Sequence, residues 1–190
     1  AGGSLTTKEK VEIARQLEKL GVDVIEAGFP ISSPGDFQAV SQIAKTIKNS
    51  IVCGLAHANA EAIDRCWEAV KVAAHPRIHV FLSSSDIHLM YQLKKSREEI
   101  LKQARDMVAR ASSYLPDVEF SPMDATRSAP DFILQIVETV IEAGASTVNI
   151  PDTVGYAIPD EFGSLIETIL KKVPNAHKAT ISVHCHNDLG

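Results

Sequence analysis

Three cysteines in 190 residues, Cys53, Cys66 and Cys185, are too few and too far apart for a disulfide framework. All three fall in strand- or helix-like segments, which predicts reduced core thiols of a cytosolic-type compartment. Long apolar runs are missing too. None is long enough to span a bilayer, and nothing resembles a signal peptide. Positive charge is scarce: 19 Lys and Arg against 24 Asp and Glu leave a net charge of -5, with no Lys/Arg cluster. That balance argues against nucleic acid as the main partner. Low-complexity segments and an obvious linker are absent. The G-x-G-x-x-G fingerprint of dinucleotide-binding folds does not follow the first strand. The chain also lacks an initiator Met, so Ala1 is not expected to be its natural start. What is present, 45% apolar and 23% charged residues, is the composition of a soluble globular protein long enough for one real core.

Taken in order, the chain alternates two patterns. Thr6 and Glu9 form a capping box ahead of a helix with Ile13, Leu17 and Leu20 at helical spacing, and Gly21 ends it. A strand over 22–29 follows, then a helix over 34–48 and a strand over 51–56. Asn59 caps a helix with Ile63, Cys66, Trp67 and Val70 on one face, leading to a strand over 78–83. A loop of roughly a dozen residues comes next, long enough to suspect function. Ser96 and Glu99 make a second capping box, and a short strand covers 118–121. Ser128 and Pro130 open a helix that Gly144 stops. A strand over 147–150 precedes a helix over 160–172 with Phe162, Leu165, Ile166 and Ile169 inside. The last strand is Ala179-Thr180-Ile181-Ser182-Val183.

Strand and helix alternating throughout is the signature of a parallel α/β sheet. The unit at 20–25 is echoed at 143–148, as in a repeated βα fold. An open doubly wound sheet and a (β/α)8 barrel both fit that alternation. Strand parity favours the barrel. Ile78, Val80 and Leu82 oppose His79, Phe81 and Ser83; Val148 and Ile150 oppose Thr147, Asn149 and Pro151. A sheet covered by helices on both sides is apolar on both faces. A barrel has one helix-covered face and one inner face able to hold a polar site. The fold class predicted is α/β, a (β/α)8 TIM barrel covering about six of the eight βα units, with 1–190 a single partial catalytic domain.

In such a barrel the chemistry lies at the C-terminal strand ends. Those ends carry Glu26, His57, His79 with the loop to His88, Ser121 to Asp124, Asn149 to Thr153, and His184 with His186. Two histidines two apart in a strand share a face, and imidazole suits first-row divalent metals. His-x-His alone equally describes two histidines that happen to close a strand. Glu26 has a plain reading as partner of a basic side chain, and Asp152 and Thr153 as caps of a turn. A metal there would polarise a carbonyl, with Asn149 or Thr153 orienting substrate and Glu26 positioning a cation. Such a site serves carbon–carbon bond formation or cleavage next to a carbonyl.

Four stretches carry a resemblance: 21–30 (GVDVIEAGFP), 118–122 (VEFSP), 148–155 (VNIPDTVG) and 184–190 (HCHNDLG). Together they resemble the catalytic barrel of the 2-isopropylmalate synthase family, within the wider group of metal-dependent Claisen-type synthases and lyases. The resemblance runs across essentially the whole chain. It implies an acyltransferase that condenses acetyl-CoA with 3-methyl-2-oxobutanoate, the committed step of leucine and hence branched-chain amino-acid biosynthesis. His184 and His186 would ligate a divalent ion (Mn, Mg or Zn), and His79, Ser121, Asn149 and Pro151 would line the oxo-acid pocket. Thr153 would sit beside the reacting carbonyl, and Glu26 would hold the family's active-site arginine. Those last two are the residues assigned to catalysis.

The family's first strand, with its Arg-Asp-Gly motif, and its eighth, with an asparagine ligand, are expected outside residues 1–190. The 190-residue piece alone is therefore expected to be inactive. Met123 stands where the family usually has an acidic residue, and His57 where arginine is common. The resemblance further implies a cytoplasmic homodimer (plastid in a plant), with no nucleic-acid or membrane partner. Two other functions fit the same residues: a synthase using another 2-oxo acid, to homocitrate or citramalate, and a hydroxymethylglutaryl-CoA-lyase-type carbon–carbon lyase. A third reading is a barrel remnant without turnover.

Overall fold

A computed structural model describes residues 5–189. Six strands alternate with helices: β1 (Val24–Gly28), β2 (Ile51–His57), β3 (Pro76–Ser83), β4 (Val118–Met123), β5 (Thr147–Asp152) and β6 (Thr180–Cys185). Sheet order follows chain order, without the switch point of a doubly wound sheet. The pairings β1–β2, β4–β5 and β5–β6 are parallel. This is the α/β pattern of a (β/α)8 TIM barrel, with six of its βα strands. No helix among the described residues is long and apolar enough to cross a membrane.

By internal contacts the chain divides into two compact units, Ala1–His79 and Val80–Gly190. In the first, Thr6 caps α1 (Thr7–Leu20) by the reciprocal hydrogen bonds of a capping box, and Gly21 closes it in the left-handed region at φ 88°. Ser33 caps α2 (Pro34–Thr46), and Asn59 caps α3 (Ala60–Val70) by accepting from the Ala62 amide. The core gathers Ala14, Ile25, Ile43, Ala44, Ile47 and Val52. Gly54 on β2 is a packing requirement. A Cβ there would lie 2.5 Å from the Cys66 sulfur and 3.0 Å from Val70, so α3 could not sit as close.

In the second unit the loop over 84–95 is more ordered than its composition suggests. It holds a short helix, α4 (Asp86–His88), running into a π-helical turn at Leu89–Leu93. Lys94 ends that turn in the left-handed region, at φ 53°. Ser96 then caps α5 (Arg97–Ser112) with the second capping box. The helix α6 (Pro130–Glu142) starts with Pro in its first turn but takes Ala129, not Ser128, as its cap. Ser128 turns inward, where its hydroxyl meets Ser84 Oγ at 2.8 Å and donates to the Asp124 carbonyl. Phe120, Phe132, Ile133, Ile136, Val148 and Ile150 are fully buried. On α7 (Pro159–Lys172) only Ile169 is buried; Phe162, Leu165 and Ile166 are half-covered.

On β3 to β5 the apolar set Ile78, Val80, Val118, Phe120, Val148 and Ile150 is fully closed to solvent, and the opposing His79, Ser83, Ser121, Thr147 and Asn149 are nearly so, buried polar residues on the other face. The thiols divide differently from expectation. Cys53 and Cys66 are buried, but Cys185 is exposed, because β6 is a sheet edge among the described residues. Burial, reinforced by the Glu26 charge, pushes the Cys66 thiol up to about 12. At pH 8 its thiolate fraction is then roughly one in ten thousand. A native thiol titration at pH 8 should accordingly find one fast-reacting cysteine, Cys185, and three after denaturation. A second fast thiol in the native protein would contradict this packing.

Candidate active site

In the first unit, β1, β2 and β3 present one residue each to a common point. Glu26 is registered against Cys53 across the β1–β2 pair. Glu26 Oε2 lies 2.6 Å from His79 Nδ1 and 4.0 Å from Cys53 Sγ. Carboxylate, thiol and imidazole atoms fall within 4.8 Å of one another, close enough to be considered as cation ligands. Two donors converging on one oxygen describe a hydrogen-bonded carboxylate equally well, and 2.6 Å is the length of a strong charge-assisted bond. His79 is buried, while the Glu26 side chain remains 45% exposed. His57 packs its ring edge-on against Phe29, and burial pushes its imidazole below the ordinary histidine range.

In the second unit the predicted residues fall into rungs across β4, β5 and β6. Asn149 Nδ2 donates to Ser121 Oγ at 2.9 Å, and Ser182, registered against Asn149, donates to Asn149 Oδ1 at 3.4 Å. One rung further, Pro151 pairs with His184, and Asp152 with Cys185. Beyond the strand the His186 amide donates to the Asp152 carbonyl at 3.2 Å. The His184 and His186 rings are exposed, with centroids 5.0 Å apart and planes tilted by 38°. Two imidazoles that close, both reachable from solvent, fit the donor chemistry of a first-row divalent ion. They are nitrogen donors only, so a hard ion would need oxygen ligands as well.

Around that end of β5 lies a scaffold that the sequence hardly announced. Asp124 sits in the left-handed region at φ 70°, and its side chain is fully buried. Its carboxylate takes a two-pronged grip from Arg127, Nε to Oδ1 and Nη2 to Oδ2, both 2.8 Å. That grip raises the Arg127 guanidinium above its ordinary value. His88 Nδ1 stands 3.5 Å from Asp124 Oδ2, and Ser85 Oγ lies 3.1 Å from the same nitrogen. The Asp124 amide donates to Thr153 Oγ1 at 2.9 Å. Thr153 thus spends a lone pair on the scaffold and keeps its hydroxyl hydrogen for another acceptor. Buried Asp152 is satisfied by Thr126 Oγ1 at 2.9 Å and the Ala157 amide at 3.0 Å. Gly155, at φ 63°, lets the turn after β5 press against the 186–188 backbone.

Each predicted residue therefore has a place. Ser121 and Asn149 are hydrogen-bonded to each other, Pro151 and His184 are register partners, and Thr153 is held by Asp124. Glu26 and His79 meet directly. Sequence reasoning placed Asp124 among the strand-end candidates without a role, and left out Cys53, Arg127, Gly155 and Ser182 as site residues. Ser182 alone had a signal, since it shares strand parity with His184 and His186.

The HMGL-like family model matches residues 1–190. The chain belongs to the HMGL-like family. Proteins named 2-isopropylmalate synthase from Syntrophus aciditrophicus and Pelotomaculum thermopropionicum are 64% and 60% identical to it over 189 residues. Each alignment takes in 100% of this HMGL-like chain and 37% of the relative, so the chain spans little more than a third of their length. Among solved structures, hydroxymethylglutaryl-CoA lyases share the fold. The Bacillus subtilis lyase gives a TM-score of 0.75 at 22% identity, and the Pseudomonas aeruginosa lyase 0.79 at 19%. Each covers 100% of this chain and 64% of the lyase.

Proposed function

We propose that the protein carrying this HMGL-like chain is a 2-isopropylmalate synthase-type acyltransferase. It would condense acetyl-CoA with 3-methyl-2-oxobutanoate in leucine biosynthesis, as a cytoplasmic homodimer. The observation that carries this reading is 64% identity along the whole chain to a protein of that name. The reaction removes a proton from the acetyl methyl group, joins that carbon to the ketone carbon, and hydrolyses the thioester to free the CoA thiol. A divalent ion (Mn, Mg or Zn) held by His184 and His186 supplies a Lewis acid for the 2-oxo acid when bound.

The chain's own groups do the rest. Ser121 and Asn149 fix the oxo acid through a preorganised polar rung, Pro151 lines the pocket one rung further on, and His79 is a further substrate-binding group. Thr153, its oxygen already engaged by Asp124, directs its hydroxyl hydrogen toward the oxygen where charge develops. Glu26 places the arginine that the family carries outside these residues.

The test is thiol release from acetyl-CoA by the protein at the length of its relatives, offered a panel of 2-oxo acids. Release with 3-methyl-2-oxobutanoate is expected to be strongest. Preference for another oxo acid would move the reading to a homocitrate- or citramalate-type synthase. Cleavage of a 3-hydroxyacyl-CoA without thiol release would replace it with a lyase. Residues 1–190 alone are expected to show no turnover.

A further inference from the structure

Beside the turn after β5 the second unit holds a cavity of about 380 Å3, within the size range of small-ligand sites. Its walls are Thr126 and Arg127 after β4, Val154, Tyr156 and Ala157 after β5, and Glu161 in the first turn of α7. The scaffold that holds Thr153 also builds these walls. Arg127 is gripped by Asp124, whose amide donates to Thr153 Oγ1, and Thr126 Oγ1 donates to Asp152. Val154 follows Thr153 directly. An occupant of the cavity therefore lies against the turn that carries Thr153.

Three polar groups of the lining have no hydrogen-bond partner among the described residues. They are the Glu161 carboxylate, the Tyr156 hydroxyl and Arg127 Nη1, since the grip on Asp124 uses Nε and Nη2. The Tyr156 ring is large, yet 71% exposed. One donor, one acceptor, a flat ring and two aliphatic walls match a ligand that alternates amide groups with apolar carbon. They do not match a polyanion. Asp124 already neutralises much of the Arg127 charge, and Glu161 with neighbouring Asp160 sets two carboxylates at one wall, where phosphates would be repelled.

We propose that this cavity receives the pantetheine arm of acetyl-CoA, a chain of two amides, a dimethyl-bearing carbon and short methylene runs that ends in the thioester. Tyr156, Val154 and Ala157 cover its carbon. Arg127 Nη1 donates to an amide carbonyl, and Glu161 accepts from an amide N–H. The phosphate head stays outside, and the thioester is delivered beside Thr153. This rests on the synthase reading above and names where its acyl donor lies.

Steady-state kinetics on the protein at the length of its relatives test it, with acetyl-CoA and acetyl-pantetheine as alternative donors. Tyr156 and Glu161 are both exposed, so their alanine variants should fold. Each variant should raise KM about tenfold for both donors, the size expected for one aromatic contact or one hydrogen bond to a charged group. KM for 3-methyl-2-oxobutanoate should stay within about twofold of wild type, well short of that tenfold change. Glu161→Gln, whose amide oxygen still accepts, should recover most of the loss. Saturation-transfer NMR with CoA gives a readout free of turnover: the pantetheine methyl protons should take up the most saturation, and less in Tyr156→Ala.

A KM that rises for acetyl-CoA but not for acetyl-pantetheine would place the phosphate head in the cavity and overturn the proposal. Unchanged KM for both donors in both alanine variants, or saturation strongest on the adenine protons, overturns it too and leaves the synthase reading intact. Absence of thiol release from the wild type with every oxo acid sinks that reading instead, and the donor site with it.

Discussion

Asp124→Ala is expected to destabilise the chain by about 3 kcal/mol, read as a lower urea midpoint at an unchanged slope. Three losses combine. The buried carboxylate holds Arg127 by two 2.8 Å bonds, and removing it strands a guanidinium. Arg127 is 45% exposed and can turn to water, so the loss falls below the roughly 3–5 kcal/mol of breaking a fully buried pair. The second loss is conformational: alanine at φ 70° costs roughly 1–2 kcal/mol that aspartate largely escapes through its short polar side chain. The third is the left-handed turn itself, which aims the Asp124 amide at Thr153. Asp124→Asn keeps the backbone preference and an acceptor for Arg127, and should lose less than half as much. A midpoint shift worth under about 1 kcal/mol for the alanine variant would contradict this account of the turn, since ordinary surface changes fall in that range.

The second large effect concerns cation binding. Gly155→Ala is expected to weaken divalent-ion affinity by about 10- to 100-fold, the usual cost of disturbing the support of a ligand. A Cβ at Gly155 would meet Asp188 Oδ2 at 2.5 Å, and the Asp188 nitrogen and His186 carbonyl carbon at 2.8 Å. The first neighbour is a side chain and can swing aside. The other two are backbone, so relief must come from moving the 186–188 segment and with it His186. Isothermal titration with Mn or Zn checks this, with His186→Ala as the reference for a lost ligand. Affinity equal to wild type would mean that the turn after β5 does not position the histidine.

These cases show where the sequence was legible. The capping boxes Thr6–Glu9 and Ser96–Glu99 and the stop at Gly21 are contained within one helical turn, and the structure forms them as read. Strand parity likewise needed only nearest neighbours; it set Val148 and Ile150 against Thr147, Asn149 and Pro151, and the structure buries both sets. What escaped depends on chain segments far apart. Cys53 reaches Glu26 across 27 positions and Asp124 reaches Thr153 across 29, and no local pattern marks either pair.

Ser128 and Pro130 read as opening a helix; the helix does start at Pro130, but the Ser128 hydroxyl bonds to Ser84 and to the Asp124 carbonyl in the interior. The segment after β3 reads as loop, yet it winds into a helical turn closed at Lys94. Of its apolar residues only Leu89 is buried, beside the buried Ser84 and Ser85, so no periodic apolar face marked the turn. Cys185 carried the parity of a core residue, but parity says only which way a side chain points. On an edge strand that direction can be solvent. The metal-type histidines were visible as a pair; their exposure and the backbone bond from His186 to Asp152 were not.

The central claim is that His184 and His186 hold the ion on which a 2-oxo acid is condensed with acetyl-CoA. The direct measurement is CoA thiol release by the protein at the length of its relatives, with acetyl-CoA and 3-methyl-2-oxobutanoate, before and after chelation. It should fall to background on chelation, return on adding Mn, Mg or Zn, and stay at background in His184→Ala and His186→Ala with every ion. Release that survives chelation, or wild-type rates in both alanine variants, would contradict the account.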